Sequence, residues 1–164
     1  MKNKELVAVF PGTFDPFTNG HADIVNRASA IFDCIYIAVL QNPAKATLFP
    51  VEQRVAMIKE EYKNYENSIK VESFSGLLVE YVKSKNKALI IRGLRATTDY
   101  EYEAQMALMN RHLSDNKIET FFLMTREENS YISSTVVRQV SSLGGDVSKL
   151  VPSSILAYLK AAQK

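Results

Sequence analysis

Short apolar runs rich in valine, isoleucine and phenylalanine recur along the chain, and segments with helical spacing separate them. The runs predict five strands, at Leu6–Phe10, Cys34–Leu40, Ile69–Phe74, Ala88–Arg92 and Ile118–Met124. Most of these runs lack polar alternation, which is typical of strands that are covered on both faces of a parallel sheet.

Apolar positions between and after these runs predict six helices. The helices are expected at Ala22 to Phe32, Val51 to Tyr62, Leu77 to Val82, Thr98 to Leu113, Ser134 to the glycine pair 144–145, and after Pro152. Because strands and helices alternate, we expect a doubly wound α/β fold around a five-stranded parallel sheet. No linker or repeat divides the sequence, so one domain over residues 1–164 is expected.

The predicted helix from Thr98 to Leu113 is apolar on more than one side. Tyr100 and Ala104 share one face, whereas Tyr102 and Met106 share another. A helix that packs on a single sheet needs only one apolar face, so the second face predicts a contact between subunits.

Composition and charge narrow the class of protein. Of the 164 residues, 46% are apolar and 23% are charged, as in a soluble globular protein. The net charge of +2 is spread over mixed charges, which argues against a nucleic-acid or membrane partner. Cys34 is the only cysteine, and the first apolar run ends at Pro11, too early for a signal peptide. We therefore expect a cytoplasmic location.

The stretch VFPGTFDPFTNGHADIV, from Val9 to Val25, carries the first sign of chemistry. In doubly wound sheets, ligands bind where loops leave the carboxyl ends of strands, and this is the first such loop. Gly12 lets a ligand approach the main chain, and Thr13 supplies a hydroxyl. Gly20 and His21 are expected in the first helical turn, where free N–H groups attract anions. The stretch therefore predicts a phosphate-binding site.

An ordinary loop is the alternative, with Asp15 or Thr18 as a helix cap and His21 at the surface. Each residue alone favours that alternative, but their joint occurrence is hard to explain by folding. The spacing also differs from the dinucleotide fingerprint GxGxxG and from the P-loop pattern GxxxxGK[ST].

The segments PGTFDPFTNGH, NPAKATLF, EQRVAM, FSGLL, IIRGLRATTDYEYE, MNRHL and YISST, in this order, resemble those of the phosphopantetheine adenylyltransferase family. This family belongs to the nucleotidylyltransferases with a T/H-x-G-H motif, here Thr18 to His21. The resemblance spans almost the whole chain and implies a Rossmann-like nucleotidylyltransferase fold. It implies transfer of the adenylyl group of ATP to 4′-phosphopantetheine, giving dephospho-coenzyme A and pyrophosphate, with Mg²⁺ bound to ATP and a homohexameric assembly.

The resemblance also assigns roles to residues. It implies His21, Lys45 and Arg95 as catalytic residues, and Thr13, Lys45, Leu78 and Arg92 as acceptor-binding residues. The implied ATP-binding residues are Thr13, Phe14, His21, Gly93, Leu94, Arg95, Glu103, Asn129, Ser130, Tyr131, Ile132, Ser133, Ser134 and Thr135. No metal site formed by protein side chains is expected, because His112 has no partner at metal-ligand spacing.

The residues themselves leave structural alternatives open. Arg92 ends an apolar run and needs an anionic partner, which is a substrate phosphate or a carboxylate at Asp99 or Glu101. Lys45 and Glu103 could be solvated, Leu78 could pack in the core, and the hydroxyls at 133–135 could be helix caps. The chain also departs from the family, with Asn129 at a position that is usually aromatic and Phe10 where tyrosine is frequent.

Three functional alternatives remain. A sister nucleotidylyltransferase would act on nicotinamide mononucleotide or use CTP, and only Lys45, Leu78 and Arg92 favour phosphopantetheine over these. A nucleotide sensor without catalysis would have no need for a clamp on an acceptor phosphate. A nucleic-acid module would need a basic stripe, which the sequence lacks.

Overall fold

The structure is a computed structural model that describes residues 5–42, 46–85, 88–95 and 97–162. Strands and helices alternate along these residues as expected, with short 3₁₀ turns at Lys63–Tyr65 and Glu127–Asn129. The elements are β1 (Val7–Gly12), α1 (Asn19–Ala28), β2 (Cys34–Leu40), α2 (Val51–Glu61), β3 (Ile69–Phe74), α3 (Leu78–Lys83), β4 (Leu89–Leu94), α4 (Thr97–Leu113), β5 (Thr120–Met124), α5 (Ser134–Ser142) and α6 (Ser153–Ala162).

The strands form a single parallel sheet in the order β3-β2-β1-β4-β5. The predicted doubly wound α/β fold is therefore confirmed. The central strand β1 is buried along most of its length, whereas the edge strand β3 alternates between buried and exposed residues. This difference follows from position, because only the interior strands are covered on both faces.

Two apolar clusters form the core, one on each face of the sheet. Alternate residues of β1 point to opposite faces, so Ala8 and Phe10 belong to one cluster and Val9 belongs to the other. The larger cluster contains side chains of α1, α2, α5 and α6, and the smaller one contains Val79 and Val82 of α3. Both faces of the sheet are thus covered by helices.

Two of the predicted strands ended too early. Strand β1 continues through Pro11 and Gly12, which lie opposite Ala38 and Val39 of β2, so pairing extends the strand beyond its apolar run. Strand β4 likewise runs two residues past Arg92 to Leu94. The sequence predicted that Arg92 ends this strand, but the arginine lies inside it.

Two predicted helices also differ in detail. Helix α1 ends at Ala28, and Phe32 reaches the core from the turn that follows. In α3 the buried positions are Val79 and Val82, whereas the expected Leu77 is exposed. Within the described residues, no helix is long and apolar enough to cross a membrane. The single domain and the cytoplasmic location stay predictions.

Candidate active site

A cavity of about 540 Å³ opens at the carboxyl ends of β1 and β4. The chain goes from β1 to β2 on one side and returns to β4 on the other side, so this is the point where the strand order reverses. The cavity is lined by Phe10, Pro11, Gly12, Thr13, Phe14, Thr18, Gly20, His21, Ile24, Arg92, Gly93, Arg95, Asp99, Tyr102, Glu103, Thr125, Ile132, Ser133, Ser134 and Thr135.

His21 is fixed at the start of α1 by a reciprocal capping arrangement. The Thr18 hydroxyl accepts a hydrogen bond from the His21 N–H, and the Thr18 N–H donates to His21 Nδ1 at 3.0 Å. Because Nδ1 accepts this bond, it carries no hydrogen, and the neutral ring holds its hydrogen on Nε2. Thr18 is thus the cap, which decides between the two candidates that the sequence offered.

The surroundings of His21 keep the ring neutral. Its centroid lies 5.0 Å from that of Phe14 and 5.4 Å from that of Phe17. Burial, together with the positive charges of Arg95 and Arg92, lowers the pKa of His21 from 6.5 to about 3. At neutral pH the residue is therefore a hydrogen-bond donor without charge.

Two arginines bring positive charge to the cavity, and each is paired with a carboxylate of α4. Arg92 donates to Glu103 through Nε at 2.7 Å and through Nη2 at 2.5 Å, while its Nη1 donates to the Pro11 carbonyl at 2.8 Å. Arg95 donates to Asp99 at 3.0 Å and 3.3 Å. The carboxylate partner of Arg92 is Glu103, so the structural alternatives Asp99 and Glu101 were wrong for this arginine.

A second cavity of about 350 Å³ adjoins the first, and the two share Pro11, Gly12, Thr13, Arg92, Tyr102 and Glu103. It is more apolar, with Leu40, Phe74, Leu78 and Met106 in its wall. Arg92 therefore lies between the two cavities. By contrast, Arg95 and His21 line only the first, and Leu78 lines only the second.

Two glycines allow the close packing at this edge of the sheet. A Cβ at Gly12 would lie 2.7 Å from the Phe14 ring, so that ring occupies the space that the sequence analysis gave to a ligand. A Cβ at Gly93 would lie 3.0 Å from Ile24 of α1. These glycines therefore bring the loop and α1 against the strands.

The start of α5 closes the first cavity. Ser133 is the N-cap, and its hydroxyl accepts from the Val136 N–H at 3.1 Å. The Ser134 hydroxyl donates to the Pro16 carbonyl at 2.8 Å, which ties α5 to the β1–α1 loop. One of the expected caps is thus present, and the remaining hydroxyl of Thr135 still lines the cavity.

Most predicted site residues come together, although they belong to distant parts of the sequence. Of the expected ATP-binding and acceptor-binding residues, the first cavity collects Thr13, Phe14, His21, Arg92, Gly93, Arg95, Glu103, Ile132, Ser133, Ser134 and Thr135. Five others do not line it, namely Leu78, which lines the second cavity, and Leu94, Asn129, Ser130 and Tyr131. Leu94 is buried and Tyr131 is exposed. Lys45 lies outside the described residues.

Sequence reasoning missed four residues of the first cavity, namely Ile24, Asp99, Tyr102 and Thr125. Asp99 was considered only as a partner of Arg92, yet it pairs with Arg95. Tyr102 lines both cavities while most of its side chain is exposed, and the sequence marked it only as part of an apolar face. Tyr102 directly precedes Glu103 in the sequence, and this position alone does not indicate that it lines a site.

The acidic groups of the cavity bear on metal binding. Among the described residues, no group of three or more histidine, cysteine, aspartate or glutamate side chains could hold a metal ion. Asp99 and Glu103 are engaged with arginines. The donor set of this cavity therefore suits an anion that brings its own cation better than a metal ion held by the protein.

Comparison with known proteins gives consistent results. A family model described as cytidylyltransferase-like matches residues 9–140. A phosphopantetheine adenylyltransferase from Alkaliphilus metalliredigens is 50% identical over 150 residues, which cover 92% of this chain and 94% of that protein. A protein of the same name from Lawsonia intracellularis is 53% identical over 157 residues, covering 96% and 90%.

Among solved structures, a Vibrio parahaemolyticus protein named as a nicotinate-nucleotide adenylyltransferase superposes with a TM-score of 0.67. The match covers 96% of this chain and 99% of that protein, at 15% sequence identity. At this identity the likeness supports the fold alone. The Rossmann-like α/β fold expected from the sequence is thereby confirmed.

Proposed function

Because the chain belongs to the phosphopantetheine adenylyltransferase family, we infer that it transfers the adenylyl group of ATP to 4′-phosphopantetheine, giving dephospho-coenzyme A and pyrophosphate. One observation about the molecule carries the mechanism. A single cavity gathers the neutral donor His21 of α1, the cation Arg92 of β4 and the cation Arg95, which directly follows β4.

The chemistry explains why such donors suffice. The attacking phosphate is an anion at neutral pH, so no general base has to remove a proton. The barrier lies in bringing that anion onto the α-phosphorus of another highly charged molecule. Positioned N–H donors and cations lower this barrier, because they stabilise the charge that develops on the transferring group.

His21 is the proposed donor to the α-phosphate. Its Nδ1 accepts from the Thr18 N–H, so the hydrogen on Nε2 is available to a phosphate oxygen. A neutral ring loses no proton during the reaction and gains hydrogen-bond strength as charge grows on the phosphate. Arg95, which lines only the first cavity, is proposed to act on the same nucleotide.

The acceptor is proposed to enter through the second cavity. The apolar wall around Leu78 suits the extended pantetheine arm, and Arg92 between the two cavities suits its phosphate. Arg92 donates three hydrogen bonds, two to Glu103 and one to the Pro11 carbonyl. A guanidinium has five N–H groups, so two remain for the acceptor phosphate. Lys45 is proposed as a further partner of that phosphate, on the resemblance alone.

Magnesium is proposed to arrive with ATP. When bound to the phosphates, the ion neutralises part of their charge and eases departure of pyrophosphate. The described carboxylates of the cavity are paired with arginines, which supports coordination by phosphates and water. The contribution of the chain is to orient the phosphates with His21 and Arg95.

Pyrophosphate release tests this function. The protein would be mixed with Mg²⁺, ATP and one acceptor at a time, either 4′-phosphopantetheine or nicotinamide mononucleotide, with CTP replacing ATP in a parallel series. We expect pyrophosphate with ATP and 4′-phosphopantetheine only. Release with nicotinamide mononucleotide or with CTP would favour the sister enzymes, and no release with any pair would favour a nucleotide sensor.

His21→Ala tests the role of the donor. Loss of one transition-state donor should lower turnover about a hundredfold or more. The control is His112→Ala, because His112 is exposed at the end of α4 and does not line the cavity. Circular dichroism would check that both variants fold. Unchanged turnover in His21→Ala would reject the assigned role.

A homohexamer is proposed for the assembly. Its support is the exposed apolar surface of α4, formed by Tyr100, Tyr102, Met106, Leu108, Met109 and Leu113. Light scattering during gel filtration should give six times the 18.5 kDa of one chain. Leu108→Glu should lower that mass, because Leu108 is 67% exposed and a charge would prevent its burial in a contact. A monomeric mass for the unaltered protein would contradict the proposal.

A further inference from the structure

Arg54 of α2 is a buried arginine that the mechanism above does not use. It belongs to the segment EQRVAM, which marked the family resemblance but received no role. Only 3% of the residue is exposed, and it does not line either cavity of the site. Burying a guanidinium is costly, so its contacts require an explanation.

Those contacts are backbone carbonyls from three segments. Arg54 Nη1 donates to the Thr13 carbonyl at 2.5 Å and to the Leu40 carbonyl at 3.1 Å. Its Nε donates to the Phe49 carbonyl at 3.0 Å. Within the described part of the chain, no carboxylate lies within ion-pair distance of the guanidinium. Burial lowers the pKa of Arg54, and the more distant negative charge of Asp15 opposes that effect. The arginine therefore acts on the backbone.

The carbonyl of Thr13 matters because of the peptide group to which it belongs. In a trans peptide the N–H of the next residue points away from the carbonyl oxygen. The Thr13 carbonyl is directed at buried Arg54, so the Phe14 N–H points in the opposite direction. Thr13 and Phe14 both line the first cavity, whereas Arg54 does not. The Phe14 N–H therefore points away from the buried side of this peptide, where Arg54 lies.

Two further observations support this orientation. The Phe14 N–H has no hydrogen-bond partner among the described residues, so it is available to a ligand. Phe14 also has a φ of 51°, in the left-handed region that a phenylalanine rarely adopts. Such a backbone conformation needs support from its surroundings, and the bond from Arg54 supports the peptide that enters it.

We propose that Arg54 is a positioning residue of the nucleotide site, which holds the Thr13–Phe14 peptide so that the Phe14 N–H donates to a phosphate of ATP. The proposal rests on the proposed function only in placing ATP in the first cavity. It does not require any particular acceptor. A planar guanidinium reaches three carbonyls at once, which an ammonium group cannot do in the same geometry.

Nucleotide binding tests the proposal without turnover. Calorimetry would compare the affinity for Mg²⁺–ATP with that for adenosine, which lacks phosphates, in Arg54→Met and Arg54→Lys. We expect Arg54→Met to weaken ATP binding about tenfold while adenosine binding stays within twofold, and Arg54→Lys to fall between. Met57→Ala is the matched control, because Met57 is equally buried in α2 but makes no bond to the loop. It should destabilise the fold and leave both affinities unchanged.

Unchanged ATP binding in Arg54→Met, or an equal loss for ATP and adenosine, would overturn the proposal. Should Arg54→Met fail to fold, the unaltered protein still provides a test by NMR with ¹⁵N-phenylalanine, which labels eight amides. The Phe14 amide, assigned by its loss in Phe14→Tyr, should shift downfield on addition of Mg²⁺–ATP, and an unmoved amide would refute the proposal. Failure of the proposed function is a separate result, namely no pyrophosphate from the unaltered protein.

Discussion

The neutral state of His21 has a measurable effect on stability as the pH falls. The ring has a pKa of about 3 in the folded protein, against an ordinary value of 6.5 in the unfolded chain. Below pH 6.5 the unfolded chain therefore binds a proton that the folded protein does not. The free energy of unfolding therefore has its full value above pH 6.5 and decreases as the pH falls from 6.5 toward 3.

The size of this loss follows from the two pKa values. Each pH unit between them costs about 1.4 kcal/mol, so a fall to pH 5 costs about 2 kcal/mol. That figure does not depend on the exact pKa in the folded protein, provided that it stays well below 5. Burial is the largest cause of the lowered pKa and is insensitive to ions, so added salt should reduce the loss only slightly.

Urea unfolding at pH 7 and pH 5 measures the effect, at one protein concentration because an assembly makes stability depend on concentration. The reference is His21→Gln, since glutamine at the third helical position can still accept from the Thr18 N–H but does not titrate. The two proteins differ only at position 21, so the difference between their losses isolates the contribution of His21. The unaltered protein should lose about 2 kcal/mol more than His21→Gln. Equal losses would show that His21 is not held neutral by its surroundings.

Three further substitutions test the remaining parts of the site. Arg92→Ala should raise the KM for the acceptor about tenfold and change the KM for ATP little. A rise in the KM for ATP alone would contradict the assignment of Arg92 to the acceptor and Arg95 to the nucleotide. Asp15→Asn should cost about 2 kcal/mol in urea unfolding, because the buried carboxylate accepts from two backbone amides and an amide side chain can satisfy only one. Gly93→Ala should cost about 1–3 kcal/mol by overpacking against Ile24, and wild-type stability would show that α1 can move.

The sequence predicted the fold well because the apolar pattern and the architecture have the same cause. Interior strands of a parallel sheet are covered on both faces, so they read as continuous apolar runs. Strand ends were less predictable, because they depend on pairing with a neighbour. Pro11 and Gly12 extend β1 only because they lie opposite Ala38 and Val39. No local pattern records that partner.

Within the site, single residues were predictable and their pairings were not. The turn around His21 could be identified, since capping and free N–H groups are local properties of a helix start. The pairing of Arg92 with Glu103, and not with Asp99 or Glu101, depends on which side of α4 faces β4. No role of Arg54 could be predicted from the sequence, because its three carbonyl partners lie on segments that come together only in the folded chain.

The charges of the cavity are organised by α4. Among the described lining residues, the cations Arg92 and Arg95 are each matched by a carboxylate of this helix, and His21 adds no charge. Two bare cations in a partly buried cavity would repel each other and cost desolvation free energy, so the carboxylates stabilise the free protein. They also fix the guanidinium planes, which leaves defined N–H groups for phosphates. Recognition of two anionic substrates therefore depends on directed donors, supplied by His21, the arginines and the Phe14 amide, more than on an excess of positive charge.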